Sequence, residues 1–238
     1  MNLESLVVSK DAALLGVLRP TLEKISVNVE VCAESHLGNE KLAVHKFDAV
    51  VVDCDDLQGG ARLLQDIRQT QSNSKSVAFA VLNGGTTTQE AFAYGANFVL
   101  QKPVTPLHAT RCFHAALNFM LRERRRYFRC AVDMSVHISV AKEGEFKANS
   151  TNISEGGIAI RIATKLVKDT TVGLRFTLPG SNTSFDLKAQ VAWTDGSGHA
   201  GIRFMDVPQI LQCQLEKWLS ERLQEEMPRS LQGHPSLV

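Results

Sequence analysis

The chain is 238 residues long, 44% hydrophobic, and carries a net charge of +1 at neutral pH. That length suits one large domain or two modest ones. The apolar content excludes a disordered chain, and the near-zero charge excludes a protein that coats nucleic acid with its whole surface. Five cysteines (Cys32, Cys54, Cys112, Cys130, Cys213) are dispersed with no Cys-x-x-Cys pair. This argues against a disulfide framework or zinc site and for a reducing compartment. No basic stretch precedes an apolar run at the start, and no segment approaches about eighteen uninterrupted apolar residues. A soluble, cytoplasmic chain with neither signal peptide nor membrane span is expected.

The first half alternates short apolar runs with helical patterns. Leu6 to Val8, Val27 to Cys32, Phe47 to Val52, Ser76 to Leu82 and Asn97 to Leu100 read as buried strands. Amphipathic stretches such as Ala61 to Arg68 and Gln89 to Tyr94 lie between them. Strands of this length separated by helix-length segments imply βαβ units and a parallel sheet. Pro20 is expected to end or kink the first helix. Gly84 to Thr88 reads as the loop after the fourth strand, ending in an N-cap. It lacks the lysine and spacing of a phosphate-binding loop.

A last helix from about Pro106 runs into an arginine cluster, and the domain boundary is expected near residues 119–124. From Arg122 to Arg129 there are five arginines and one glutamate, a net of +4 in eight residues. Beyond it the period changes to two. Val132, Met134, Val136, Ile138 and Val140 alternate along one predicted strand. Ile158 to Ile162, Val172 to Leu178 and Phe185 to Trp193 repeat the rhythm. Gly144, Pro179-Gly180 and Asp195 to Gly198 punctuate it as turns. Antiparallel strands in a small barrel follow. Leu211, Leu215, Trp218, Leu219 and Leu223 then make an apolar stripe on a terminal helix, and the polar residues after Met227-Pro228 read as a frayed tail.

Two clusters carry chemistry together. An arginine run alone reads as a solvated positive patch, and Asn152-Ile153-Ser154-Glu155-Gly156-Gly157 alone reads as an Asx-type turn between strands. Side by side they suit a compact anion. Arginine offers a planar fork of donors to phosphate oxygens or a guanine edge, Asn and Ser add short hydrogen bonds, and glycine permits close approach. The seven histidines lack metal spacing, and Ser154 has no neighbouring His or acid, so neither a metal centre nor a hydrolase is expected.

The pair resembles the signature of the PilZ family, Arg-x-x-x-Arg followed by Asp/Asn-x-Ser-x-x-Gly, over about residues 123–226. Arg125 and Arg129 fit the first half, extended by Arg124, and Asn152, Ser154 and Gly157 fit the second. Trp193 followed by Gly201-Ile202-Arg203-Phe204 resembles the late strands of that barrel. The resemblance implies cyclic di-GMP as ligand. Arg125 and Arg129 would clamp phosphate and guanine, Arg124 would add a contact, Asn152 and Ser154 would hydrogen-bond, and Gly157 would admit the ligand.

The first half resembles the response-regulator receiver domain over about residues 3–121. The resemblance rests on Phe47 to Asp53, Gly95-Ala96 and Lys102-Pro103. It implies that Asp53 is a phosphoacceptor position and that Lys102 contacts a phosphoryl group. Ser9 and Lys10 stand where the Mg²⁺-holding acidic pair belongs, so Mg²⁺ is not expected. Lys10 would instead place positive charge near Asp53, and Asp11 would point elsewhere. A pseudo-receiver follows, with Asp53 and Lys102 as a structural ion pair.

The expected architecture is α/β plus β. A doubly wound (βα)5 receiver-like domain (1–121) precedes a small antiparallel PilZ β-barrel with a C-terminal helix (122–226) and a flexible tail (227–238). The expected protein is a non-enzymatic effector without cofactor. It would bind cyclic di-GMP and relay this by interdomain rearrangement or through an unknown downstream protein, with a homodimer as a further option and nucleic acid disfavoured. The alternatives are a phosphorylation-driven response regulator and a PilZ adapter that binds no ligand.

Overall fold

The computed structural model describes residues 3–141 and 144–226, and two compact units divide them between Arg124 and Arg125. The expected tail from 227 lies outside the described residues.

The first unit is built from β1 (Leu3–Val8), α1 (Ala12–Lys24), β2 (Val27–Cys32), α2 (Ser35–Val44), β3 (Ala49–Asp53), α3 (Gly60–Gln69), β4 (Val77–Leu82), α4 (Thr88–Ala93) and β5 (Phe98–Gln101), and then the start of α5 (Pro106–Tyr127). The strands pair in parallel in the order β2-β1-β3-β4-β5. Every residue of β3 and β4 is buried, as a parallel sheet covered on both faces requires. Asp11 caps α1 by accepting from the Ala13 and Leu14 N–H groups at 2.9 and 3.1 Å. Thr87 and Glu90 form a capping box on α4, the N-cap expected after the Gly84 loop.

Contrary to expectation, α1 runs through Pro20 without ending. Proline removes one donor and crowds the carbonyl four residues earlier. That residue is Gly16, on the exposed side of the helix with open space around it, so its carbonyl is left to water.

The second unit holds the end of α5, then β6 (Cys130–Ala131), β7 (Ser135–Val140), β8 (Gly144–Ser154), β9 (Gly157–Arg161), β10 (Thr171–Thr177), β11 (Ser184–Thr194), β12 (His199–Met205) and α6 (Gln209–Glu226). Its antiparallel order is β6-β8-β7-β10-β11-β12-β9, and β9 pairs back onto β8. Six strands therefore close on themselves as a barrel, and β6 adds onto β8. Val136, Ile138, Ile160, Leu174, Phe185, Leu187 and Val191 fill the inside, with the Phe176 and Phe185 rings stacked at 4.9 Å. On α6, Leu215, Trp218, Leu219 and Leu223 are buried, and the Trp218 indole N–H donates to the Pro179 carbonyl at 2.9 Å.

Three details differ from the sequence reading. The strand expected over 132–140 is only β7, from Ser135; residues 132–134 separate it from β6, although burial alternates through them. The eleven-residue β8 went unrecognised because it is largely polar, burying only Ala148, Ser150 and Ile153. Trp193 does not continue the buried face of β11. A register shift between Val191 and Trp193 turns it outward, leaving it 44% exposed.

Candidate functional site

Helical phase decides where each arginine of the cluster goes. Phe113, Leu117 and Met120 are buried on one stripe of α5, and Arg124 follows Met120 at the next turn of that stripe. Its guanidinium lies 3.6 Å from the buried carboxylate of Asp48, which also accepts from the Glu4 N–H at 2.8 Å. Beside it, Glu123 is 3% exposed and pairs with Lys46 at 2.7 Å. Burial pushes the Asp48 carboxyl up from 3.8 to about 6, against the pull of Arg124, the Glu4 amide and Lys46. Asp48 Oδ1 has no hydrogen-bond partner. Arg124 thus serves the first unit. Arg125 reaches the Ser220 hydroxyl of α6 at 3.5 Å.

The remaining members converge. Arg126, in the last turn of α5, and Arg129, just beyond it, line a cleft of about 360 Å³ together with Ser154, Gly157, Trp193 and Arg203. Among the described residues that line it there is no Asp or Glu. Arg129 is exposed and forms no ion pair or hydrogen bond among the described residues. Arg203, on β12, donates to Gln190 Oε1 at 2.7 Å, which holds its guanidinium in place. Trp193 lies flat on β12 because residue 201 is glycine; a Cβ there would collide with the indole ring.

The Asn152–Gly157 motif is the end of β8, a two-residue turn and the start of β9. Asn152 sits within the sheet, opposite Ala131 of β6 and Ala159 of β9, and does not line the cleft. The Ser154 hydroxyl donates to the Gly157 carbonyl across the turn at 3.2 Å. Gly157 faces the neighbouring strand rather than open space: a Cβ there would strike the Ile202 carbonyl oxygen. The structure thus brings Arg129, Ser154 and Gly157 together and leaves Arg124, Arg125 and Asn152 outside the cleft. Arg126 and Arg203 belong to it although neither was singled out as a ligand residue. Arg203 could have been noticed as an outward position on a strand beside a glycine and a tryptophan.

In the first unit, Lys102 Nζ lies 3.0 Å from Asp53, 3.0 Å from Asp11 and 2.6 Å from Asp56. Burial pulls the ammonium's pKa down, but the hydrogen bonds it donates to Asp56, Asp11 and Asp53 outweigh it and raise the pKa. Ser9 donates to Asp53 at 2.7 Å. Asp11 points into this cluster instead of elsewhere, since its Oδ2 receives Lys102 while its Oδ1 caps α1. Lys10 does not neutralise Asp53; it is exposed and lines a different cleft. After β4 comes Asn83, whose side chain donates to Asp56, and no hydroxyl stands there. Asp11, Asp53 and Asp56 offer the oxygen donors that a hard cation takes. In this arrangement the Lys102 ammonium is bonded to all three.

A parallel α/β unit with an Asp–Lys cluster at its carboxyl edge is thus followed by a closed barrel with an arginine-lined cleft. The PilZ domain family matches residues 123–221, and that segment is a PilZ domain. No curated protein matches the chain. Among solved structures, the receiver domain of a sensor histidine kinase from Pseudomonas aeruginosa, determined with magnesium in its cleft, is 17% identical over 48% of this chain and 97% of that one, with a TM-score of 0.43. The inhibitor of motility MotI/DgrA from Bacillus subtilis is 22% identical over 44% of this chain, with a TM-score of 0.38. That match takes in 54% of its length. The PilZ domain of CeSA from a cellulose-synthesizing bacterium is 21% identical over 40% of this chain and 97% of that one, with a TM-score of 0.32. No helix among the described residues is long and apolar enough to cross a membrane.

Proposed function

We propose that this protein is a cytoplasmic, non-enzymatic effector whose PilZ domain binds cyclic di-GMP. The observation that carries this reading is the cleft in which three arginines, Arg126, Arg129 and Arg203, share the lining with Ser154. A doubly anionic ligand neutralises such a cluster, and guanidinium forks match both phosphate oxygens and the guanine edge. Arg126 and Arg129 bracket the end of α5, so ligand contact orders that segment. The change then passes on as interdomain rearrangement or through a partner protein. Arg125, beside Ser220 of α6, and Asn152, within β8, complete the family signature without lining the cleft. Isothermal calorimetry decides the matter. Saturable heat with cyclic di-GMP supports the reading. Its absence at ligand concentrations on the order of 100 μM, where even a Kd of about 10 μM would show, overturns it.

We propose in addition that the receiver-like unit is not driven by phosphorylation. Lys102 is held by three carboxylates, and Ser9 and Lys10 stand at the metal-binding positions. Incubation with acetyl phosphate and Mg²⁺ should leave the intact mass unchanged; gain of one phosphoryl group, lost in Asp53→Asn, would show the opposite.

A further inference from the structure

The arginine cleft has a floor made by β9, β11 and β12. In one row across these strands, Arg203 stands between Gly157 and Gln190; in the next, Gly201 stands between Ala159 and Trp193. Gly157, Ala159 and Gly201 put nothing longer than a methyl group on this face. Among the described residues of the floor, Trp193 and Arg203 are therefore the large exposed side chains that reach the cleft.

The two offer different chemistry. One face of the indole covers Gly201, where a Cβ would collide with it, and the side chain is still 44% exposed. What remains open is a flat apolar surface of the kind on which bases stack. Arg203 supplies donors, and its position is held. It donates to Gln190 Oε1 at 2.7 Å, and the Gln190 amide is in turn oriented by donating to the Asp169 carbonyl at 3.2 Å. No other ion pair or hydrogen bond engages Arg203 among the described residues, so the rest of its planar fork is left to a ligand. Positions 201 and 203 are about 7 Å apart along β12. A planar base lying over the indole spans that distance and brings its edge to the guanidinium.

We propose that Arg203 is the specificity-determining residue of this site: it reads the O6/N7 edge of a guanine stacked on Trp193, while Arg129 holds phosphate. This rests on the cyclic di-GMP reading of the cleft and adds which part of the ligand is selected, and by which residue. Guanine presents two acceptors on that edge, matching a fork that only donates. Adenine presents a donor beside N7, which the same fork rejects. Neither Arg203 nor Trp193 lies in the Arg-x-x-x-Arg and Asn-x-Ser-x-x-Gly signature, so the choice of base is made outside it.

Calorimetry on the full chain tests this with two ligands, cyclic di-GMP and its 7-deazaguanine analogue, which lacks the N7 acceptor and keeps both phosphates. The wild type should bind the analogue about tenfold more weakly, the scale of one charge-assisted hydrogen bond. Arg203→Lys, at an exposed position, keeps the charge and loses the fork. It should bind the two ligands alike, near the wild-type affinity for the analogue. Arg129→Ala should weaken both ligands and preserve the tenfold ratio. Equal binding of the two ligands by the wild type overturns the assignment and leaves the cyclic di-GMP reading standing, as does an Arg203→Lys protein that keeps the ratio. A wild type with no saturable heat for either ligand overturns that reading itself, and the assignment with it.

Discussion

Arg124 and Arg129 are the same residue type five positions apart, yet helical phase and the end of α5 give them different surroundings. Arg124 continues the Phe113–Leu117–Met120 stripe and meets Asp48, while Arg129 stands beyond the helix with no ion pair or hydrogen bond among the described residues. Arg129→Ala should weaken cyclic di-GMP binding about tenfold or more, the scale of a lost charge-assisted contact. Arg124→Ala should change it by no more than about threefold. Calorimetry on the two variants checks the order; equal losses would return Arg124 to the ligand. Gly157 teaches a related lesson. Its family role is to admit ligand, but here its missing side chain lets β9 lie against the Ile202 carbonyl. Gly157→Ala should therefore lower the stability of the ligand-free protein by about 1–3 kcal/mol, the usual range for overpacking. A thermal scan without ligand would show it, and an unchanged midpoint would contradict it.

At the scale of elements, α5 crosses the division at residue 124/125 without a break. A run of arginines at the end of an amphipathic helix, with no glycine or proline among them, made this continuity readable. The charged network beside its last turns was not readable, because Asp48, Lys46 and Glu123 are far apart in sequence and look like ordinary surface residues. Their burial has a titration consequence. The folded pKa of Asp48 is raised above its unfolded value, so its contribution to stability is complete below about pH 4 and is lost as pH rises through about 6. The span of roughly two units corresponds to about 3 kcal/mol at most. Asp48→Asn keeps an acceptor for the Glu4 amide and carries no charge. Urea unfolding of both proteins should show the variant gaining on the wild type between about pH 4 and pH 6, then running parallel above pH 7. A pH-independent difference would refute the assignment. Elsewhere, β8 escaped notice because period-two burial needs apolar residues, and this strand pairs on both sides while remaining largely polar.

For the whole molecule, a change of hydrophobic period near the arginine cluster marks where one kind of sheet gives way to another. Chains with two cores need not unfold in one step. Ligand linked to the barrel should raise the barrel's transition alone, by about 2.7 kcal/mol at a hundredfold excess over Kd. Differential scanning calorimetry with and without cyclic di-GMP reads this directly, and an equal shift of every transition would mean that the two units unfold together. The parallel character of the first sheet, the antiparallel character of the second and most of their buried faces follow from local periodicity. The pairing of Asp53 with Lys102 is implied by the receiver resemblance rather than by periodicity. Which arginines share the cleft with Ser154, and that Lys10 faces a second cleft while Asp11 joins Asp53, only the tertiary structure decided. Periodicity along one element fixes which face a side chain leaves from. What that side chain meets depends on elements distant in sequence, whose approach is set by the packing of both cores.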